Sequence, residues 1–246
     1  MKKARKVLAV VLAFVLTVSL SVAGTIAYLT DTDKKTNVFT TGNVEIELKE
    51  NFGDNDPDTP EKLLPATGSA QEGTLKNGVT KEVSVKNIGS EDAYVRVHIA
   101  IPTLLDDGDP NFDASANVLH FNYDPDSIGE GKWDWSKTTG AAYEGNWNCY
   151  KDEINGKEYN VYVVTYGSVL KYGDETPEKA MHQVYLDSKV TNEDLTRILS
   201  ALEEIDILVV AEGAQAAGFT DAYAALNTAF GVPGEYDVDW TNLAIA

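Results

Sequence analysis

Alternation of apolar and polar residues is the feature of this sequence that most restricts its fold. Residues 44–49 alternate apolar with charged side chains, and residues 80–88 repeat the pattern. From 93 to 101 the apolar residues fall at every second position. A period of two residues is typical of a β-strand with one buried face. The chain is therefore predicted to consist mainly of strands.

Further strands are predicted where short apolar runs are bounded by turn residues. They cover 118–123, 147–151, 158–166, 183–190 and 205–212. The dipeptide Asn155-Gly156 lies between two of these runs and predicts a hairpin. Two short helices are also expected. Thr191 and Asp194 resemble a capping box, and residues 219–230 carry aromatic and leucine side chains at helical spacing.

One domain accommodates all these elements. The acidic stretches 51–61, 106–113 and 124–134 are rich in Gly and Pro and are predicted to be surface loops. Many short strands with few helices favour a mainly β fold, a jelly-roll-like antiparallel β-sandwich with a few short helices in its connections. Cys149 is the only cysteine, so the fold must be stable without an internal disulfide.

The first thirty residues have the organisation of a secretory signal peptide. Four cations within the first six residues precede an uncharged, mostly apolar run, and small residues follow near its exit. We predict a signal peptide over 1–27, cleaved between Ala27 and Tyr28, and a single β-sandwich domain over 28–246. Cleavage after Ala23 is an alternative. Because about 20 apolar residues span a bilayer, an uncleaved membrane anchor is the other interpretation.

The chain that remains after cleavage is strongly acidic. Its formal charge moves from −19 to −23, because residues 1–27 carry four cations and no acidic residue. A surface of this charge repels phosphate backbones and anionic lipid. We therefore expect no nucleic-acid partner, and a membrane contact only through the signal segment before cleavage.

Two stretches resemble a family of secreted bacterial proteins. Residues 24–31 contain the exit sequence of the signal peptide. Residues 37–48 contain a Phe-x-x-Gly turn followed by the first alternating strand. Residues 85–97 contain a strand, an Asn-x-Gly turn and a return strand. Both stretches are similar to the TasA and camelysin (CalY) family, and the signal resembles those processed by a SipW-type signal peptidase.

The resemblance implies a jelly-roll protein that assembles into fibres in the extracellular biofilm matrix or at the cell surface. In such fibres the N-terminal segment of one subunit completes the sheet of the next. Here that segment is 28–39, which is too polar to fold alone but can pair with an open sheet edge. Its predicted interface residues are Tyr28, Leu29, Thr30, Asp31, Val38 and Phe39.

The implied partners are other copies of the chain, the SipW-type peptidase and further matrix proteins. An ordinary first strand or a frayed terminus is the alternative for residues 28–39.

Protease activity is a second implication of the resemblance, because camelysin is named as a metalloendopeptidase. A zinc protease of the His-Glu-x-x-His type needs two histidines one helical turn apart with a glutamate beside them. His98, His120 and His182 are isolated and fall in predicted strands. We therefore expect no catalytic residue, no metal site and no enzyme activity, and rank a secreted metalloprotease last.

Three further features have both a structural and a functional interpretation. The aromatic residues within 133–150 form either one end of the core or the sugar-stacking platform of a monomeric glycan- or protein-binding module. The loop 106–111 offers oxygen ligands for calcium but lacks EF-hand spacing, so a solvated loop and no cofactor are expected. Residues 64–68, Leu-Pro-Ala-Thr-Gly, match the sortase pentapeptide, but no apolar stretch and basic tail follow, which favours a chance match in a loop.

Overall fold

The computed structural model of the chain describes residues 30–32, 43–51, 63–68, 75–106, 118–122, 130–135, 149–202 and 206–241. The predicted signal peptide, its cleavage site at Ala27 and Tyr28, and Leu29, Val38 and Phe39 of the predicted donor segment lie outside these ranges. Within the described residues, no helix has the length and apolar character needed to cross a membrane.

Strands dominate the described part of the chain. The elements are β1 (Thr30–Thr32), β2 (Ile46–Asn51), β3 (Val79–Asn87), β4 (Ala93–Pro102), β5 (Leu119–Asn122), β6 (Trp133–Asp134), β7 (Cys149–Ile154), β8 (Lys157–Tyr166), β9 (Met181–Leu186), α1 (Asn192–Leu202), β10 (Leu208–Gln215) and α2 (Ala222–Ala229). All pairs between these strands are antiparallel. The predicted mainly β fold is confirmed.

The strands form two sheets. Sheet A has the order β1-β10-β4-β8-β6, with β7 also paired to β8, and sheet B has the order β2-β3-β9-β5. Most neighbours are not consecutive in sequence, so the chain crosses repeatedly between the sheets, as in a jelly roll. The short turn after β3 is one such crossing, because β3 belongs to sheet B and β4 to sheet A.

The alternating pattern of β4 explains the core between the sheets. Val95, Val97 and Ile99 are fully buried and pack with Val83 and Val85 of β3. The residues that alternate with them point to the opposite face of sheet A. These are buried as well, so that all ten residues of β4 are buried.

A third layer, formed by α2 and the segment 231–241, covers that outer face of sheet A. Tyr94 of β4 packs with Ala225 and Leu226 of α2. Farther along the same strand, Ala100 packs with Val238 and Trp240. Sheet A is therefore buried on both faces, which accounts for the continuous apolar runs in β8 and β10.

The boundaries of three predicted strands need correction. The strand predicted at 147–151 is β7, which ends at Ile154, and the strand predicted at 205–212 is β10, which runs from Leu208 to Gln215. The prediction 183–190 extends too far, since β9 ends at Leu186. The side chain of Asp187 accepts a hydrogen bond from the backbone N of Lys189 at 2.8 Å and closes a turn. The capping box then starts α1 as predicted, because Asp194 N donates to Thr191 Oγ1 at 3.2 Å and Thr191 N donates to Asp194 Oδ2 at 3.0 Å.

Candidate functional site: the edge of sheet A and the ion cluster behind it

Strand β1 lies at the edge of sheet A, where it pairs with β10. Its three residues lie opposite Glu212, Gly213 and Ala214, which we call the acceptor edge. Thr30 and Asp31 of the predicted donor segment are thus in a strand that pairs with the sheet of the same chain. An edge of this kind holds a strand through backbone hydrogen bonds.

The acceptor edge is closely packed against sheet B. A Cβ atom added to Gly213 would lie 2.8 Å from Cγ2 of Ile46, the fully buried first residue of β2. Contacts this short do not occur between real carbon atoms. Gly213 is therefore required where the two sheets approach each other beside β1.

The N-terminal arm, residues 28–42, enters the body of the protein at the turn between β3 and β4. Asn43 N donates to Ser90 Oγ at 2.8 Å, and Ser90 N donates to the carbonyl of Asn43 at 2.7 Å. Gly89 N donates to the carbonyl of Glu45, and a Cβ at position 89 would lie 2.6 Å from Glu45 N. The glycine of the Asn-x-Gly turn is needed for this close approach.

A buried ion cluster lies directly behind the acceptor edge. Arg96 is opposite Glu212 in the register of β4 and β10, and its Nε donates to Glu212 Oε2 at 2.5 Å. Both side chains are 1% exposed. His98 Nε2 lies 3.1 Å from the same carboxylate oxygen, and the Tyr236 hydroxyl donates to the other oxygen at 2.7 Å. We call Arg96, His98, Glu212 and Tyr236 the ion cluster.

Arg96 connects the third layer to the sheet. Besides Glu212 on β10, its guanidinium donates to Asn227 Oδ1 of α2 at 2.9 Å. It also donates to the carbonyl of Gly231 at 3.1 Å and to the Tyr236 hydroxyl at 2.8 Å. One planar group with several donors thus joins β4, β10, α2 and the C-terminal segment.

Both ring nitrogens of His98 have a hydrogen-bonding partner. Nε2 lies 3.1 Å from Glu212 Oε2, and Nδ1 lies 3.3 Å from the Tyr150 hydroxyl. Burial raises the pKa of Tyr150, with Asp152 and Glu212 adding to the effect, so the hydroxyl keeps its proton. The buried imidazole is therefore fully hydrogen-bonded within the protein.

The stability of the fold should depend on pH through Glu212. Burial opposes ionisation, but His98, Arg96 and Tyr236 favour the carboxylate more strongly and lower the pKa from 4.5 to about 2. A lowered pKa stabilises the fold above the unfolded value, and this contribution disappears as the pH falls through the folded value. We expect a loss on the order of 3 kcal/mol between pH 5 and pH 2 from this group.

Urea denaturation at several pH values measures this loss, and Glu212→Gln is the comparison variant. The variant should show a flatter dependence of unfolding free energy on pH below 5 than the unaltered chain. Equal slopes would contradict the assigned role of Glu212.

The chain's three histidines lie in separate surroundings. His98 is in the ion cluster, His120 Nε2 is 2.8 Å from Asp187 Oδ2, and His182 Nδ1 is 3.7 Å from Glu82 Oε1. Among the described residues, no three His, Cys, Asp or Glu side chains come together in a way that could hold a metal ion. These residues do not fit the donor set of a zinc protease, and no catalytic step through a metal is derived from them.

The two described tryptophans of the aromatic stretch, Trp133 and Trp135, lie in the core. Trp133 is fully buried and donates from Nε1 to the carbonyl of Glu178 at 2.8 Å. Trp135 is also buried and stacks on Phe121 with ring centroids 5.0 Å apart. Neither indole can stack on a sugar at the surface. Tyr143 and Trp147 lie outside the described residues.

The sortase-like pentapeptide is fixed by hydrogen bonds. Ala66 is buried and its N donates to the carbonyl of Leu186 at 2.9 Å. Thr67 exchanges backbone hydrogen bonds with Lys76 in both directions. A protease or transpeptidase needs an extended, free peptide, so this loop is poorly suited to sortase. In the acidic loop 106–111 only Asp106 is described, and its carboxylate accepts from the Tyr162 hydroxyl at 2.5 Å.

Sequence reasoning did not find the ion cluster. A signal was present, because Arg96 and Glu212 are charged residues inside strands that carry mostly apolar residues on both faces. Opposite charges in two such strands indicate a buried pair. Tyr236 had no comparable signal, since it lies in a segment without regular periodicity.

Comparison with known proteins agrees with the resemblance at the N-terminus. Residues 2–56 match the family described as camelysin metallo-endopeptidase. The match includes the arm and β2, and it confirms the similarity to the TasA and camelysin family for this part of the chain. The Asn-x-Gly turn lies beyond the matched residues. A search of curated proteins finds no significant match.

Proposed function

We propose that this chain is a secreted structural protein of the extracellular biofilm matrix or cell surface, and that it polymerises into fibres by exchange of its N-terminal strand. The match over residues 2–56 to a family of extracellular or cell-surface proteins supports the location. We assign this chain the structural role that the TasA resemblance implies. We do not assign it the peptidase activity in the family's name, because the described histidines do not fit a zinc site.

The pairing of β1 with the acceptor edge is the observation that carries the proposal. The strand contributes three residue pairs at the border of sheet A. Among the residues with described burial, strands β2 to β10 and the segments between them already form a large inter-sheet core. The same segment from a second copy can form the same ladder, so exchange replaces one set of hydrogen bonds with an identical set.

The ion cluster supports exchange by fixing the acceptor strand. Glu212 is held by Arg96 from the neighbouring strand and by Tyr236 from the third layer. Strand β10 therefore does not need β1 to keep its position. An edge that is already ordered loses less conformational entropy when a new strand binds to it.

Deletion of residues 28–39 tests the proposal. The truncated chain should be folded and monomeric by circular dichroism and size-exclusion chromatography, and it should form no fibres in electron micrographs. A matched control replaces 33–37, between β1 and the body, with a Gly/Ser segment of equal length, and should still assemble. Fibres that persist after the deletion would contradict strand exchange. A full mature chain that stays monomeric over time would instead favour a monomeric glycan- or protein-binding module.

A further inference from the structure

Three exposed apolar side chains lie in the turn after β3 and the loop after β8, two segments that backbone hydrogen bonds join. Ile88 in the turn after β3 is 39% exposed, and Val169 and Tyr172 in the loop after β8 are 39% and 66% exposed. Val169 precedes Leu170, whose N and carbonyl both form hydrogen bonds with Ala93. We call Ile88, Val169 and Tyr172 the turn patch. Single exposed apolar residues are ordinary, but a group of them marks an interaction surface.

Backbone hydrogen bonds hold the two parts of the turn patch side by side. Asn87 N donates to the carbonyl of Asp174, and Gly173 N donates to the carbonyl of Asn87, both at 2.9 Å. Ile88 follows Asn87 in sequence, and Tyr172 precedes Gly173. The patch is therefore preorganised, and little conformational entropy is lost when a partner covers it.

The turn patch is adjacent to the point where the N-terminal arm leaves the body. Ser90, which binds Asn43 in both directions, lies two residues after Ile88. Ten residues separate Thr32 from Asn43, so these two residues can be at most about 40 Å apart at full extension. That reach is about the diameter of one domain of this size. A second copy that receives the arm must therefore be a direct neighbour on the side where the arm emerges.

We propose that the turn patch is a docking surface for this second copy in the fibre, an inference that rests on the proposed strand exchange. Pairing of the three residues of β1 with the acceptor edge does not by itself fix the angle between neighbouring bodies. Contact at the turn patch fixes that angle and removes its apolar side chains from water. Tyr172 has the amphipathic character that is enriched at the centre of protein interfaces.

The test compares Ile88→Ser/Tyr172→Ser with a matched control, Leu64→Ser/Leu104→Ser, whose side chains are 47% and 41% exposed and lie outside the patch. The measured quantity is the concentration of mature chain that stays soluble in equilibrium with fibres, determined by sedimentation. The patch variant should raise this soluble concentration roughly tenfold or more. The control should leave it within about twofold. The single variant Tyr172→Ser changes only the most exposed residue of the patch, where a folding defect is not expected. It should give part of the rise in soluble concentration.

The outcomes separate the two proposals. Fibres from the patch variant at the unaltered soluble concentration would overturn the docking surface and leave strand exchange intact. A wild-type mature chain that forms no fibres would overturn strand exchange, and the docking surface with it. An equal rise in the patch and control variants would show a general effect of surface hydrophobicity and would also overturn the docking surface.

Discussion

Substitution Arg96→Met should lower the free energy of unfolding by about 3–5 kcal/mol, because it leaves the carboxylate of Glu212 buried beside a side chain that cannot pair with it. Glu212 is 1% exposed and has no access to water in place of the guanidinium. The substitution also removes the hydrogen bonds to Asn227 and Gly231, so the third layer loses two of its polar attachments to sheet A. Urea denaturation followed by circular dichroism measures the loss.

Two further variants show whether the cost comes from the unpaired charge. Arg96→Met/Glu212→Leu replaces both charges with apolar side chains and should recover most of the lost stability. Arg197→Met removes an arginine on α1 whose side chain is 53% exposed and should change the unfolding free energy by less than about 0.5 kcal/mol. A single Arg96→Met variant within 1 kcal/mol of the unaltered chain would show that the ion cluster does not stabilise the fold.

Substitution Trp133→Ala should cost about 3–5 kcal/mol of unfolding free energy, since it creates a cavity between the sheets. Trp133 is the largest fully buried side chain among the described residues, and its ring centroid lies 5.1 Å from that of Tyr166 on β8. The substitution also leaves the carbonyl of Glu178 without its indole donor. Thermal and urea denaturation both report this loss.

The result distinguishes a core tryptophan from a ligand-binding one. A sugar-stacking residue can be truncated with little effect on stability, whereas a core residue cannot. The control is Tyr172→Ala, at a position 66% exposed, which should stay within about 0.5 kcal/mol of the unaltered monomer. An equally stable Trp133→Ala protein would contradict the packing described for β6.

The sequence predicted most strands because their residues alternate along single segments. Strands β2, β3 and β4 show this period clearly, and β7 and β8 follow from the Asn155-Gly156 turn between them. These signals are local, as is the capping of α1 by Thr191. Strand β6, two residues long, is too short to produce any period and was not predicted.

Long-range contacts explain what the sequence did not reveal. His98 points away from sheet B, on the face of β4 that its alternating pattern would leave to solvent, yet Tyr150 and Tyr236 lie against it and it is fully buried. Arg96 and Glu212 meet although 116 positions separate them. Strand β1 was predicted as a donor from resemblance, and only the three-dimensional register identifies Glu212, Gly213 and Ala214 as the residues beside it.

A disulfide between the arm and the acceptor edge tests strand exchange most directly. Thr30 and Ala214 are directly opposite in the register of β1 and β10, and opposite residues of antiparallel strands have Cα separations that suit a disulfide. The variant Thr30→Cys/Ala214→Cys, made with Cys149→Ala to remove the natural thiol, is assembled under reducing conditions and then oxidised. Non-reducing electrophoresis of dissolved fibres should give a ladder of covalent multimers, while unassembled protein should give a monomer with an internal disulfide. Fibres that yield only internally bonded monomers would show that each chain keeps its own β1, and would contradict strand exchange.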